Sequence, residues 1–156
     1  MENNAEVVRL LNGLLTTELR AINQYFLDSK LAAHWGYEHL AESFRSASFE
    51  EMRDAESLMD RILLLGGLPN LQRVEAFTTG ESVPEQLSAA RDLEAKAVGQ
   101  LTTAIGETER LGDEGTAHLL RTMIVEEEQQ LDWLTTQLEL IDQLGEANYL
   151  AQQIRA

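Results

Sequence analysis

The sequence predicts an all-α protein: a four-helix bundle with one long crossover between the second and third helices and a short fifth helix at the C-terminus. Three observations carry this. Ala, Leu, Glu and Gln dominate while only two prolines occur, Pro69 and Pro84, a composition that favours helix over strand. Apolar residues recur at steps of three and four through four long segments, the spacing of a buried helical seam. Glycine or proline breaks separate the segments by short links except once, where about 16 residues intervene instead of the usual ~2–8.

The elements follow in order, and residues 1–156 read as a single domain. A first helix is expected over about 5–34, with Leu11, Leu15, Ile22 and Tyr25 on its seam and a stop near Gly36. A second covers about 38–65, marked by Phe44, Ala55, Leu58, Ile62 and Leu65. It halts at Gly66-Gly67-Leu68-Pro69, where glycine suits a left-handed cap and proline cannot continue the helix. The connection from Gly67 to Ser82 is long enough to travel the bundle: a helix of ~29 residues spans ~44 Å, and ~16 extended residues reach ~53 Å. Ser82-Val83-Pro84-Glu85 is a capping box with proline in the first turn. It opens a third helix over about 83–110, with Leu87, Ala90, Ala97, Leu101 and Ala104 inward. Asp113 is a good N-cap for a fourth helix over about 114–144, seamed by Leu120, Met123, Leu134, Leu138 and Ile141 and stopped by Gly145. A short fifth helix is expected over about 148–154.

Charge and composition exclude several classes of function. The net charge is −15, with 12 Lys and Arg, scattered along the chain, against 27 Asp and Glu; no nucleic-acid partner is expected. The chain has no Cys, so disulfides and thiolate metal sites are out. No apolar run approaches the ~20 residues of a membrane span. The opening Met-Glu-Asn-Asn lacks the basic-then-apolar pattern of a signal peptide, and a cytoplasmic location is expected.

The chemistry lies on the seams. Each long helix carries one glutamate there: Glu18 between Leu15 and Ile22, Glu51 four before Ala55, Glu94 between Ala90 and Ala97, and Glu127 four after Met123. With one crossover, the first and fourth helices run one way and the second and third the other. All four carboxylates then lie about 13–16 residues from a common end, within roughly 5 Å of the same level. Buried charges are costly unless paired or bound to a cation. No Lys or Arg occupies these seams at that level, so a hard or borderline metal cation is the economical partner. Di-metal carboxylate bundles use a lone Glu on two helices and Glu-x-x-His on the other two, because i and i+3 share a face. Here Glu18 and Glu94 are followed at i+3 by Ala21 and Ala97, Glu51 by Asp54, and Glu127 by Gln130. The three histidines, His34, His39 and His118, sit elsewhere, and no Glu-x-x-His occurs.

In Glu18, Ile22-Asn23-Gln24-Tyr25-Phe26-Leu27, Glu51-Met52, Leu68-Pro69-Asn70-Leu71-Gln72, Glu94, Glu127, Asp132-Trp133-Leu134 and Asn148-Tyr149-Leu150 the chain resembles the bacterioferritins over nearly its full length. The resemblance implies a ferritin-like fold and a hollow octahedral 24-mer shell that stores ferric mineral. It also implies haem b held between two subunits on a two-fold axis, with one axial Met from each; Met52 matches that position. A helical Met is usually core filler, but this one follows a seam glutamate directly and so faces away from the seam. Leu19, Asn23, Phe26, Phe49, Ala55 and Leu71 would line the haem pocket, and Arg45 stands where the family often has an aromatic residue.

The family's ferroxidase ligands map to Glu18, Glu51, Asp54, Glu94, Glu127 and Gln130, with Asp54 and Gln130 in the places of histidines. Asp54 retains an oxygen ligand; Gln130 is neutral and weak. Losing both imidazoles should lower Fe(II) affinity and disturb redox tuning. Ser46 and Ala47 also replace residues that assist iron passage in some members. The resemblance therefore implies a haem-bearing subunit with an impaired ferroxidase site, co-assembling with a ferroxidase-competent bacterioferritin chain. Its haem would carry electrons inward to reduce the mineral for release. A [2Fe–2S] ferredoxin would dock near Leu68, Pro69, Leu71, Glu81 and Glu85. The alternatives are a homomeric shell with a weak carboxylate-only di-metal centre, and a helical interaction module without cofactor. DNA-protecting mini-ferritins fit less well, since their metal sites draw ligands from two subunits and this chain has no basic tail.

Overall fold

Four long helices and one short one account for nearly all regular structure in the computed structural model, which describes residues 2–155. They are α1 (Glu2–His34), α2 (Glu38–Leu64), α3 (Val83–Arg110), α4 (Glu114–Leu144) and α5 (Glu146–Ala151). No helix among the described residues is long and apolar enough to cross a membrane.

Side-chain ties fix the helix directions. Near the start of α1, Asn3 donates to the Leu111 carbonyl and Asn4 to the Leu65 carbonyl. Arg61, late in α2, pairs with Asp113 before α4 at 2.8 Å. One end of the bundle thus gathers the start of α1, the ends of α2 and α3, and the start of α4. Helices α2 and α3 are parallel, which requires the long crossover. The two asparagine ties also explain why α1 begins at Glu2 rather than near Ala5: helix-end carbonyls hold its first turn.

The crossover over residues 65–82 has no helix or strand and is pinned as it goes. Asn12 donates to the Leu68 carbonyl and accepts from the Asn70 N–H at 2.8 Å. Further along, Glu75 lies 3.9 Å from Arg20 of α1 and 3.5 Å from Lys96 of α3. Gly66, with φ 82°, supplies the left-handed turn out of α2. At the far end Gly80 sits so close to the Gln86 backbone that an added Cβ would lie 2.6 Å from its nitrogen.

The sequence signals for helix starts work as expected. Ser82 accepts from the Glu85 N–H and the Glu85 carboxylate accepts from the Glu81 N–H, a reciprocal cap shifted by one residue from the simplest box. Asp113 caps α4 by accepting from the Thr116 N–H at 3.0 Å. The last helix differs from expectation. Gly145, at φ 84°, both ends α4 and precedes α5, so α5 starts at Glu146 instead of Asn148 and is finished by Ala151. The chain beyond it is held by the His39 N–H donating to the Gln153 carbonyl.

The core is divided in two. One apolar cluster, including Leu11, Leu15, Leu58, Ile62, Leu101 and Leu120, fills the end where α1 begins. The other, including Tyr25, Leu40, Phe44, Leu87, Leu134 and Tyr149, fills the opposite end. The seam glutamates lie between them along every long helix.

Candidate metal centre

The four seam glutamates are buried as the periodicity requires: Glu18 is 3% exposed, Glu51 5%, Glu94 1% and Glu127 2%. Oxygens of Glu18, Glu51, Asp54 and Glu127 all lie within 4.8 Å of one another. Glu18, Glu94 and Glu127 each keep one buried oxygen with no hydrogen-bond partner. None of the ion pairs among the described residues involves these groups. Buried acceptors without donors or counter-charge are costly, and an oxygen-seeking divalent cation would satisfy them. The residues present therefore fit a metal ion.

The electrostatics agree. Burial raises the Glu18 carboxyl well above the usual range, and the charges of Glu127, Asp54 and Glu94 add to the effect, against a hydrogen bond with Glu51. Burial also raises Glu51, reinforced by Glu18. Glu127 is raised by burial and by its hydrogen bond with Glu94. At Asp54, burial first and the Glu126 charge second push the carboxyl up to about 7. Without a cation the cluster holds protons in its place.

The six expected ligand positions split. Asp54 joins Glu18, Glu51 and Glu127, so the carboxylate at the first substituted position is a full member of the cluster. Gln130 instead donates through Nε2 to the Tyr25 hydroxyl at 3.2 Å, and Tyr25 donates to Glu94 Oε1 at 2.6 Å. Glu94 is thus tied to a phenol, and the Gln130 amide serves that phenol. In sequence Tyr25 is legible as a seam residue and as part of the run from Ile22 to Leu27, not as a partner of Glu94. The missed signal is chemical: a fully buried tyrosine about two turns from the seam carboxylate Glu18 needs a partner for its O–H. A cleft of about 570 Å³ between α2 and α4, lined by Glu50, Asp54, Glu126, Gln130 and Trp133 among others, reaches the cluster at Asp54.

A second polar group was not anticipated. Asp28 and Gln24 on α1 are each 1% exposed and Gln86 on α3 is fully buried. Asp28 Oδ2, Gln86 Oε1 and both Gln24 amide atoms lack protein partners, and Gln86 Nε2 donates to the Asp28 carbonyl at 3.3 Å. Burial pushes the Asp28 carboxyl up to about 7.

On the outer face of α1 and α2, Met52 is 43% exposed although its neighbour Glu51 is buried. Phe26, Phe49 and Leu71 are exposed large apolar residues too; Asn23 is exposed and Leu19 half-buried. Ala55 stands apart from this surface: it is buried in the apolar cluster with Leu58 and Ile62, because its position on α2 is set by the seam rather than by Met52. An exposed thioether among exposed rings fits a flat apolar group covered by a second molecule.

A family model described as a ferritin-like domain matches residues 8–144. The chain is 47% identical over 152 residues to a bacterioferritin of Mycobacterium avium, covering 97% of this chain and 96% of that protein. It is 46% identical over 154 residues to a bacterioferritin of Streptomyces coelicolor, covering 99% and 92%. With a Brucella melitensis bacterioferritin it shares 37% over 149 residues, covering 96% and 92%. Bundle, crossover, carboxylate layer and near full-length similarity together place the chain in the bacterioferritin family of ferritin-like proteins.

Proposed function

We propose that the chain is an iron-storage subunit of a multimeric, 24-mer shell that shares haem b with a second copy across a two-fold contact, and that it relies on a ferroxidase-competent partner chain for rapid iron oxidation. The observation that carries this reading is the opposed pair Glu51 and Met52: adjacent residues, one aimed into the carboxylate layer and the other toward the outside. Fe(II) is the substrate of the cluster. Glu18, Glu51, Asp54 and Glu127 would bind it through oxygen, while the Tyr25 hydroxyl, donating to Glu94 Oε1, holds that carboxylate in place. Gln130, turned toward Tyr25, supplies no ligand in this arrangement, so the cluster lacks both nitrogen donors and holds Fe(II) weakly. Met52 from each of two copies would hold the haem, which when bound supplies a one-electron relay toward the mineral. Leu68 and Leu71, exposed on the crossover, support docking of a [2Fe–2S] ferredoxin beside Pro69, Glu81 and Glu85.

A second reading is a homomeric shell with a working carboxylate-only centre; membership of Asp54 in the cluster favours it. Purified homomer expressed with ample iron decides. The proposal expects a haem Soret band, loss of that band in Met52→Ala, and slow oxygen-dependent Fe(II) oxidation that accelerates when a ferroxidase-competent chain is co-assembled. Rapid turnover by the homomer would establish the second reading, and a haem-free monomer would overturn both.

A further inference from the structure

Arg45 lies over two of the rings in the patch around Met52. Its guanidinium carbon is 6.0 Å from the Phe26 ring centre and 5.1 Å from that of Phe49. Arg45, Phe49 and Met52 are spaced four and three apart on α2, so they form one stripe, with the backbone positions of Arg45 and Met52 about 10 Å apart along the axis. That span is comparable to the reach from a haem iron to its propionate carboxylates. Arg45 takes part in none of the ion pairs among the described residues, although the chain carries a net charge of −15. A guanidinium stacked on aromatic faces is held in place while its N–H donors stay free at the edge.

We propose that Arg45 is the specificity residue for the acidic side of the porphyrin: each of two copies presents one guanidinium to one of the two propionates. The inference rests on the haem reading above. In an acidic shell a dianionic ligand needs local cations, and the planar, multi-donor guanidinium suits a carboxylate. The rings of Phe26 and Phe49 then serve twice, as apolar walls for the macrocycle and as the support that aims Arg45.

Haem and haem dimethyl ester, whose propionates are masked, separate the charge from the apolar fit. Both are titrated into haem-free shell and followed by the Soret band, with wild type, Arg45→Gln, Arg45→Lys and Met52→Leu. Wild type should bind haem about tenfold more tightly than the ester. Arg45→Gln should lose that preference while binding the ester as wild type does, and Arg45→Lys should keep most of it. The preference should also shrink with added salt. Equal affinity of wild type for haem and ester, or an Arg45→Gln defect of the same size for both, overturns the role of Arg45. Absence of haem binding to wild type, or an unchanged axial spectrum in Met52→Leu, overturns the parent reading instead.

Discussion

Replacing Asp28 by Asn should stabilise the metal-free protein at neutral pH and leave it nearly unchanged in mild acid. Asp28 is 1% exposed, and Oδ2 has no partner. Burial raises its carboxyl from 3.8 to about 7. A group raised in the folded state contributes fully below its unfolded value and loses that contribution as pH climbs to the folded one. The cost of ionising Asp28 therefore develops between roughly pH 4 and 7. At ~1.4 kcal/mol per pH unit, it reaches a ceiling of ~4 kcal/mol near pH 7. An asparagine dipole in the same place still lacks partners and returns ~1–2 kcal/mol of that. The net gain is ~2–3 kcal/mol at pH 8, or about 4–10 °C in melting temperature for a chain of this size, and near zero at pH 5. Thermal melts of wild type and Asp28→Asn under chelation, at pH 5 and pH 8, measure it. An equal shift at both pH values, or a loss at pH 8, would refute the account of Asp28 as a buried carboxyl without a counter-charge.

Other expectations concern the carboxylate layer. Tyr25→Phe removes the hydroxyl that donates to Glu94 Oε1 and should cost roughly 1–3 kcal/mol, read as a lower melting temperature that added Zn(II) partly restores. Zinc binding to the metal-free shell should release protons, because burial holds Glu18 and Glu51 protonated. Calorimetry in buffers of different ionisation enthalpy should show the release falling as pH passes about 7, where Asp54 ionises unaided. By the same sign, metal-free stability should decline from about pH 4 to 7 and zinc should stabilise more at the upper end. Asp54→His with Gln130→His restores nitrogen donors at both substituted positions and should raise oxygen-dependent Fe(II) oxidation at least tenfold. No gain would show that the layer has drifted at more than these two places.

Much of this arrangement could be read from residue spacing. The caps at Ser82 and Asp113 and the parallel relation of α2 and α3 follow from local chemistry and loop length. The level of Glu18, Glu51, Glu94 and Glu127 follows from helix rise alone. What spacing could not reveal is how buried polar groups pair across helices. The Gln130–Tyr25–Glu94 chain joins three elements, so no single seam announces it. Asp28, Gln24 and Gln86 escaped for the same reason: two lie on α1 and one on α3, and only the docking of these helices brings Gln86 Nε2 to the Asp28 carbonyl. Ala55 shows the opposite limit. One position satisfied both a seam and a surface pattern, and packing assigned it to the seam.

With α2 and α3 parallel, the bundle is built from two antiparallel hairpins, α1 with α2 and α3 with α4. Each hairpin brings half of the acidic layer. Until the halves dock, no place exists where an ion can be gripped from every side, so cation and docking are thermodynamically linked. Bound metal then adds to the grip between the two hairpins, while protons on the buried carboxyls let them stay docked when metal is absent.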